Sequence, residues 1–180
     1  MKAREALVAL QTGRYSLIPN VPIPSIEPGE ILCRVRAVAI NPADWKMIDF
    51  SASPGAIGGY DFAGEVVEIG SSVSRFKVGD RILSMTFGTN PLRLGSGAFS
   101  NVAIATEDLA CKIPEWMTFE QASSLGVAIA TAGFALHRTM EIPLRAEVEG
   151  CGSQPQNPFF VLVSGGATAT GTVAIQLLKA

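Results

Sequence analysis

The sequence contains few residues that bind metal ions or form disulfides. It has one histidine, His137, and three cysteines, Cys33, Cys111 and Cys151, which lie far apart and form no C-x-x-C pair. A catalytic zinc ion needs about three nitrogen, sulfur or oxygen ligands, and a disulfide framework normally uses an even number of cysteines. Cys33 and Cys111 fall in strand-like patterns, where a cysteine is typically a small buried apolar residue. We therefore expect no metal site and no disulfide framework.

Charged residues are also scarce, and neither sign dominates. Only 17% of the 180 residues are charged, compared with about 25% in average globular proteins. The net charge of −2 gives no electrostatic attraction to nucleic acid or to an anionic membrane surface. The apolar fraction of 48% argues against disorder, and the length predicts one domain, or one domain and part of another.

Long hydrophobic runs are absent as well. The longest stretch without a charged side chain, residues 150–178, is rich in Gly, Ser, Thr, Gln and Asn and does not predict a membrane span. The first residues, Met1–Glu5, do not lead into the apolar core of a signal peptide. We therefore expect a soluble, cytoplasmic protein that binds neither nucleic acid nor membrane.

Short extended segments separated by proline and glycine fill the chain from Ala3 to about Lys112. The residue patterns predict strands at Glu5–Ala9, Glu30–Ile40, Glu65–Ile69, Arg81–Ser84 and Ala98–Ala105. Several short strands at this spacing favour a partly open β-barrel over a parallel sheet.

The pattern becomes helical after Pro114. Thr118 and Gln121 have the spacing of a capping box, and the Ala- and Leu-rich segment that follows predicts a helix to about Arg138. Residues 150–158 form a polar, uncharged linker. The apolar run Phe159–Val163 predicts a strand that is buried on both faces, and a helix follows from Thr172 to Lys179.

A glycine-rich turn joins that last strand and helix. Ser164–Gly171 reads Ser-Gly-Gly-Ala-Thr-Ala-Thr-Gly, and its small residues would let the backbone approach a pyrophosphate at the N-terminus of the helix. Thr168 and Thr170 add hydroxyl donors. The glycines do not follow the G-x-G-x-x-G spacing, so a tight turn without a phosphate is the alternative.

Several motifs in a fixed order identify a known family. The segments Ala39–Lys46, Gly59–Val66, Phe76–Arg81 and Gly97–Ser100, with the turn at Gly165, resemble the medium-chain dehydrogenase/reductase superfamily over nearly the whole chain. The resemblance implies a mixed α/β fold, in which a GroES-like, partly open β-barrel is followed by the first β-α unit of a Rossmann fold. The expected domains are a GroES-like catalytic domain at 1–125, a connecting helix and linker at 126–158, and the start of an NADP-binding Rossmann domain, incomplete, at 159–180.

Departures from the family motifs indicate which branch of the superfamily the chain resembles. Zinc alcohol dehydrogenases have a cysteine where Asn41-Pro42 stands and Gly-His-Glu where Gly59-Tyr60-Asp61 stands, so both ligands are missing here. The chain most resembles the zinc-free fungal trans-acting enoyl reductases, which reduce the growing chain on a polyketide synthase whose own enoyl reductase is inactive. This resemblance implies NADPH, an α,β-unsaturated thioester substrate, a monomeric enzyme, and as partner the carrier domain of a polyketide synthase or a synthase–peptide synthetase hybrid.

The resemblance also assigns site residues. Lys46 and Thr131 match catalytic positions. The positions expected to bind the cofactor are Ala43, Asp44, Trp45, Lys46, Gly165, Gly166, Ala167, Thr168, Ala169 and Thr170. The positions expected to border the acyl chain are Ala132, Gly133, Phe134, Ala135, Leu136, His137, Arg138 and Thr139. The alternatives are a surface lysine at 46, a threonine packed in a helix at 131, and a helix-capping histidine at 137.

Reduction of an enoyl thioester also needs a proton for the α-carbon, and the sequence does not show which group donates it. Asp61 and Asp80 stand beside glycines in turn-like contexts, which predicts structural carboxylates. Mitochondrial-type enoyl reductases have a tyrosine shortly after the Asn-Pro motif, but residues 46–53 contain none. Solvent is therefore the expected proton source.

Two further functions remain open from the sequence. One is a free-standing NADPH-dependent quinone or enone reductase of the same superfamily. The other is a truncated, inactive relative that only binds a synthase, because the chain stops after one β-α unit of a Rossmann domain that normally has about six strands.

Overall fold

The computed structural model describes residues 3–142 and 160–179, and the fold is mixed α/β, as predicted. The chain divides into two compact units, residues 1–126 and 127–180. This division lies next to the predicted boundary at 125. The assignments of 126–158 as a connecting segment and of 159–180 as the start of a Rossmann domain stay predictions.

The first unit consists of two antiparallel sheets. β1 (Ala3–Gln11) and β2 (Arg14–Pro22) form a hairpin. The second sheet has the strand order β6-β3-β4-β5-β7, with bounds β3 Glu30–Ala39, β4 Asp61–Ile69, β5 Arg81–Met85, β6 Val102–Thr106 and β7 Ala110–Lys112. Two isolated bridges, Ala6 to Ser100 and Val8 to Ile57, connect the hairpin to the loops that flank the larger sheet. Within the described residues the two sheets do not close into a complete barrel, as the predicted partly open β-barrel requires.

The main core lies on one face of the five-stranded sheet. Ile31, Cys33, Phe62, Val66 and Ile82 are buried in it, because alternate residues of β3, β4 and β5 point to the same side. Burial raises the pKa of the Cys33 thiol to about 12, so this cysteine is protonated in the folded protein.

The prediction that Cys111 is buried is wrong. Cys33 lies in a strand with a neighbour on each side, but Cys111 lies in the three-residue strand β7 at the edge of the sheet. Among the described residues β7 pairs with β5 alone, and the Cys111 side chain is exposed at this edge. An alternating pattern thus locates a strand without telling which strand is at the edge.

The helices of the described residues are short. They are α1 (Pro42–Phe50), a 3₁₀ turn (Glu107–Leu109), α2 (Phe119–Ser123), α3 (Gly126–Gly133), a π-helix (Phe134–Thr139) and α4 (Ala169–Lys179). None of them is long and apolar enough to cross a bilayer.

The predicted capping box at the start of α2 is confirmed. The Thr118 hydroxyl accepts a hydrogen bond from the Gln121 amide at 3.2 Å, and the Gln121 side chain accepts one from the Thr118 amide at 3.0 Å. The helix does not run unbroken to Arg138, however. The hydroxyls of Ser123 and Ser124 donate to carbonyls three residues earlier, at 3.0 and 2.9 Å, and compete with the helical pattern. α2 therefore ends before α3 begins.

The predicted strand Phe159–Val163 is not formed at residues 160–163, which have no regular secondary structure. Phe160 and Leu162 are 95% and 94% exposed, instead of buried on both faces. A strand needs a neighbour to complete its hydrogen bonds, and no strand of the described residues pairs with this segment. The turn and the helix of the expected β-α unit are present, and α4 begins three residues earlier than predicted; Phe159 and the linker 150–158 lie outside the described residues.

Gly64 in β4 tests the packing of the larger sheet. A Cβ at this position would overlap the backbone carbonyl oxygen of Arg34 in β3. We predict that Gly64→Ala lowers the free energy of unfolding by about 2 kcal/mol or more, because the two strands must separate to admit the methyl group. Urea unfolding followed by circular dichroism measures the change.

Gly29→Ala is the matched control for that substitution. A Cβ at Gly29 would lie 3.8 Å from the Ser72 hydroxyl, an ordinary contact, so the stability should stay within about 0.5 kcal/mol. Equal unfolding midpoints for the two variants would contradict the assigned close approach in the sheet.

Candidate functional site

A hydrogen bond between two side chains fixes the start of α1 against the start of β4. The Asn41 side-chain amide donates to the Asp61 carboxylate at 2.9 Å, and Asp61 is only 1% exposed. Pro42 follows as the first helical residue, where its fixed φ angle favours the helix and its missing N–H costs nothing. The family motif around residues 41–46 is thereby held beside the motif around residues 59–61.

The two aspartates that were predicted to be structural both have partners. Asp61 binds Asn41, and a Cβ at Gly126 would lie 2.5 Å from its carboxylate, so the chain passes close over it. Asp80 accepts from the Lys77 amide at 3.1 Å and pairs with Lys112 at 2.9 Å. Both contacts are consistent with a structural role.

Asp44 lies one turn into α1 and is 4% exposed. One carboxylate oxygen accepts from the Asn41 backbone amide at 2.6 Å, and the other has no hydrogen-bond partner in the part of the chain that the structure describes. Burial raises the pKa of this carboxyl, and the bond from Asn41 offsets part of that effect. The side chain predicted to bind the cofactor is therefore enclosed in protein.

Trp45 and Lys46 project from the same helix into solvent. The Lys46 ammonium lies 5.6 Å from the centroid of the Trp45 ring, and that ring is 6.4 Å from the ring of Phe50. Within the described residues Lys46 forms no ion pair. An exposed cation beside an exposed aromatic ring suits a phosphate- and base-bearing ligand, and it equally fits the alternative of a surface lysine. Ala43, also predicted for the cofactor, is half-buried.

Two tyrosines of this region were not singled out from the sequence. The Tyr15 hydroxyl donates to the Asp44 backbone carbonyl at 3.3 Å, and Tyr60 directly precedes Asp61 in the chain. The one available signal was that Tyr60 stands where zinc enzymes of the resembled family have a ligand histidine.

In the second unit, the glycine-rich turn folds onto the start of α4. Gly165 has a φ of +72°, which favours glycine, and a Cβ at Gly171 would overlap the Gly165 carbonyl oxygen. The Thr168 hydroxyl accepts from the Gly171 amide at 3.1 Å and donates to the Gly165 carbonyl at 2.8 Å. Thr168 is therefore the N-cap of α4, rather than a free donor.

The turn packs its backbone directly on the start of α4. The first amides of a helix have no intrahelical carbonyl partner, and such an N-terminus is favourable for an anion. The residues that form the turn and the first helical positions are those predicted for the cofactor: Gly165, Gly166, Ala167, Thr168, Ala169 and Thr170.

The predicted substrate residues 132–139 occupy the end of α3 and the whole π-helix. Ala132 and Leu136 are buried, whereas Phe134 is 68% exposed; Thr131 is exposed rather than packed against other residues. The His137 ring nitrogen Nδ1 lies 2.7 Å from the Ile142 carbonyl, where it donates just after the helix ends. Because Ile142 lies three residues beyond the π-helix, this bond ties the following residues back to the helix and does not cap its last carbonyls. A π-helix is uncommon and is often found at functional sites.

Comparisons with known proteins agree with the fold and the motifs. Residues 27–115 match the alcohol dehydrogenase GroES-like domain. The chain is 55% identical, over 97% of its length, to 49% of the trans-enoyl reductase of Gibberella fujikuroi. Among solved structures, an alcohol dehydrogenase superfamily protein from Novosphingobium aromaticivorans matches with a TM-score of 0.77 and 30% identity, over 96% of this chain and 49% of that one. The quinone oxidoreductase from Coxiella burnetii matches with a TM-score of 0.73 and 28% identity, over 99% and 54%.

These findings define the class of protein, which is one that contains a GroES-like domain of the alcohol dehydrogenase type. The resemblance to the medium-chain dehydrogenase/reductase superfamily that its motifs predicted is confirmed. The chain spans about half the length of the curated relatives that it matches. Across residues 3–142 and 160–179, no group of three or more His, Cys, Asp or Glu side chains is placed to hold a metal ion.

The buried carboxyl of Asp44 should make the free energy of unfolding depend on pH. Because its pKa is raised in the folded state, its ionised form destabilises the protein; this cost is complete above the folded pKa and disappears as the pH falls through it toward the ordinary value of 3.8. We predict that Asp44→Asn raises the free energy of unfolding at pH 7 and that the gain shrinks under acid conditions. Urea unfolding at a series of pH values measures it, with exposed Asp49→Asn on the same helix as the control. A gain that does not change with pH would refute this account.

The close contact at Gly171 leads to a prediction about hydrogen exchange at the start of α4. Gly171→Ala should force the turn away from α4 and expose the Thr172 amide, which donates to the Thr168 carbonyl at 2.8 Å. We expect hydrogen exchange at Thr172 to accelerate by about tenfold or more. Gly133→Ala, where a Cβ meets nothing within 4 Å, should leave that amide unchanged. Equal exchange in both variants would contradict the described packing.

Proposed function

We propose that this protein is a trans-acting enoyl reductase that uses NADPH to reduce an α,β-unsaturated polyketide thioester held by a synthase. The observation that carries the proposal is the 55% identity, over 97% of the chain, to a trans-enoyl reductase. The geometry is compatible with it, because Asn41 and Asp61 are joined by a hydrogen bond that holds the two family motifs together. The proposed chemistry relies on a nicotinamide cofactor and on charged side chains.

The glycine-rich turn and the N-terminus of α4 are the expected place for the pyrophosphate of NADPH, because the amides at a helix N-terminus favour negative charge. NADPH, when bound, supplies the hydride for the β-carbon of the substrate. The turn residues 165–170 would hold the phosphates, and Lys46 and Trp45 would contact the ribose and nicotinamide end. Asp44 acts through the shape of α1 rather than by direct contact, because it is buried.

Negative charge develops on the thioester oxygen as the β-carbon is reduced. A cation that is already in place stabilises such charge without reorganisation. Lys46 is the candidate for this role, since it is exposed and has no competing ion pair among the described residues. Thr131 and residues 132–139 would orient the acyl chain. The expected partner is the carrier domain of a polyketide synthase or of a synthase–peptide synthetase hybrid, in the cytoplasm, with the reductase as a monomer.

A second candidate is a free-standing NADPH-dependent quinone or enone reductase. The observation in its favour is the structural similarity to the quinone oxidoreductase from Coxiella burnetii, with a TM-score of 0.73. It would use the same cofactor residues and a small, unattached substrate.

Lys46 tests the proposed activity. With an enoyl thioester as substrate, Lys46→Gln should lower the rate of NADPH oxidation by about 10²-fold, because the developing charge loses its cation. Lys77→Gln, an exposed lysine outside α1, is the matched control and should keep the rate. The measurement is the absorbance of NADPH in the presence of the thioester or of a small quinone.

Two results would contradict the proposal. Turnover with the quinone alone would favour the second candidate. No binding of NADPH in a titration would indicate a non-enzymatic relative that only binds a synthase.

A further inference from the structure

Asp61 fixes the start of α1 from a neighbouring element. It is the first residue of β4, is 1% exposed, and accepts a hydrogen bond from the Asn41 side-chain amide at 2.9 Å. Asn41 is the residue before the helix, and Pro42 restricts the backbone directly after it. A buried hydrogen bond to a carboxylate is stronger than one between neutral groups. This bond therefore sets where α1 begins relative to β4.

The carboxylate of Asp61 has little freedom to move. A Cβ added at Gly126 would lie 2.5 Å from its other oxygen, Oδ1, so the chain at Gly126 packs directly against it. The same Cβ would lie 3.2 Å from the amide nitrogen of Met85, in the strand that pairs with β4. Asp61 is thus confined between Asn41 on one side and Gly126 on the other, and it is a rigid reference point for the helix.

Separate contacts hold the rest of α1. The Gly13 amide, in the turn between β1 and β2, donates to the Ile48 carbonyl at 3.0 Å, and Ile48 is buried. The Tyr15 hydroxyl donates to the Asp44 carbonyl at 3.3 Å, and the Asp44 carboxylate accepts from the Asn41 backbone amide at 2.6 Å. None of these contacts uses the Asn41 side chain. Loss of the side-chain bond should therefore displace the first turn of α1 without unfolding the helix.

Lys46 lies on the second turn of the same helix and faces solvent. Its ammonium is 5.6 Å from the centroid of the Trp45 ring, whereas the buried side chains of α1 are Asp44 and Ile48. A rise of only about 7.5 Å separates Lys46 from Asn41 along the helix axis, so a shift of the first turn also moves Lys46. A displacement of about 1 Å can lower a rate by about 10²-fold when the displaced group acts on the reacting atoms.

We propose that Asp61 is a positioning residue of the reaction, which acts through Asn41 to hold Lys46 beside the thioester oxygen of the substrate. The inference rests on the proposed enoyl reduction, in which Lys46 stabilises the developing negative charge. Asp61 is buried, so its effect reaches the substrate through the helix and not by contact. The carboxylate that the sequence predicted to be structural thereby has a consequence for the rate.

A charge introduced at residue 41 tests the pair. Asn41→Asp places a second carboxylate against Asp61 and removes the donor, while aspartate remains a good N-cap for α1. With an enoyl thioester as substrate, kcat for NADPH oxidation should fall by about 10- to 100-fold. The double substitution of Asn41→Asp with Asp61→Asn restores one donor and one acceptor in reverse order, and kcat should return to within about threefold of the wild-type value. If Asn41→Asp does not fold, Asn41→Ala takes its place, since it removes the donor without adding charge.

The coupling to Lys46 distinguishes positioning from a purely structural role. In a Lys46→Gln background, Asn41→Asp should lower kcat by no more than about a further twofold, because the group that the bond positions is already absent. A purely structural bond would lower kcat by the same factor with and without Lys46. Asp80→Asn is the matched control: it breaks the 2.9 Å ion pair with Lys112, which does not involve α1, and should lower stability but keep kcat.

Trp45 reports the position of α1 without any turnover. In a Trp116→Phe background it is the only tryptophan of the chain, and its ring is half-exposed beside Lys46. Asn41→Asp should change the quenching of its fluorescence by acrylamide, and the double substitution should return the quenching to its original value. Asp80→Asn should leave the quenching unchanged.

The outcomes separate this inference from the proposed function. If the wild type does not oxidise NADPH with an enoyl thioester, the enoyl reductase function fails, and the positioning role fails with it. If the wild type is active but Asn41→Asp lowers kcat equally with and without Lys46, or changes neither kcat nor the Trp45 quenching, only the role of Asp61 is overturned. A loss of kcat that depends on Lys46 and is recovered by the double substitution supports it.

Discussion

The first unit depends on the hydrogen bond between Asn41 and Asp61. This bond connects the N-terminus of α1 to the first residue of β4. In the sequence the two elements are separated by the irregular segment 51–60. Asp61 is buried, so breaking the bond would remove a contact that compensates for burial of its carboxylate, which is costly. The positions of Lys46, on one side of the bond, and of Tyr60, on the other, both follow from it.

The features that the sequence predicted are those governed by local rules. The capping box at Thr118 needs only two residues at a fixed spacing, and it is present. The strands of the first unit follow from alternating side chains, and they form, although the strand predicted from Ala98 begins only at Val102. The glycine-rich turn also folds as its small residues require, although Thr168 uses its hydroxyl to cap α4.

The features that the sequence did not predict depend on distant neighbours. Phe160 and Leu162 have an ideal strand composition, but a strand forms only beside another strand, and none of the described residues provides it. Cys111 is exposed because β7 is at an edge, which no local pattern reveals. The strained backbone of Thr89, a buried β-branched residue with a φ of +53°, is likewise visible only in the folded chain.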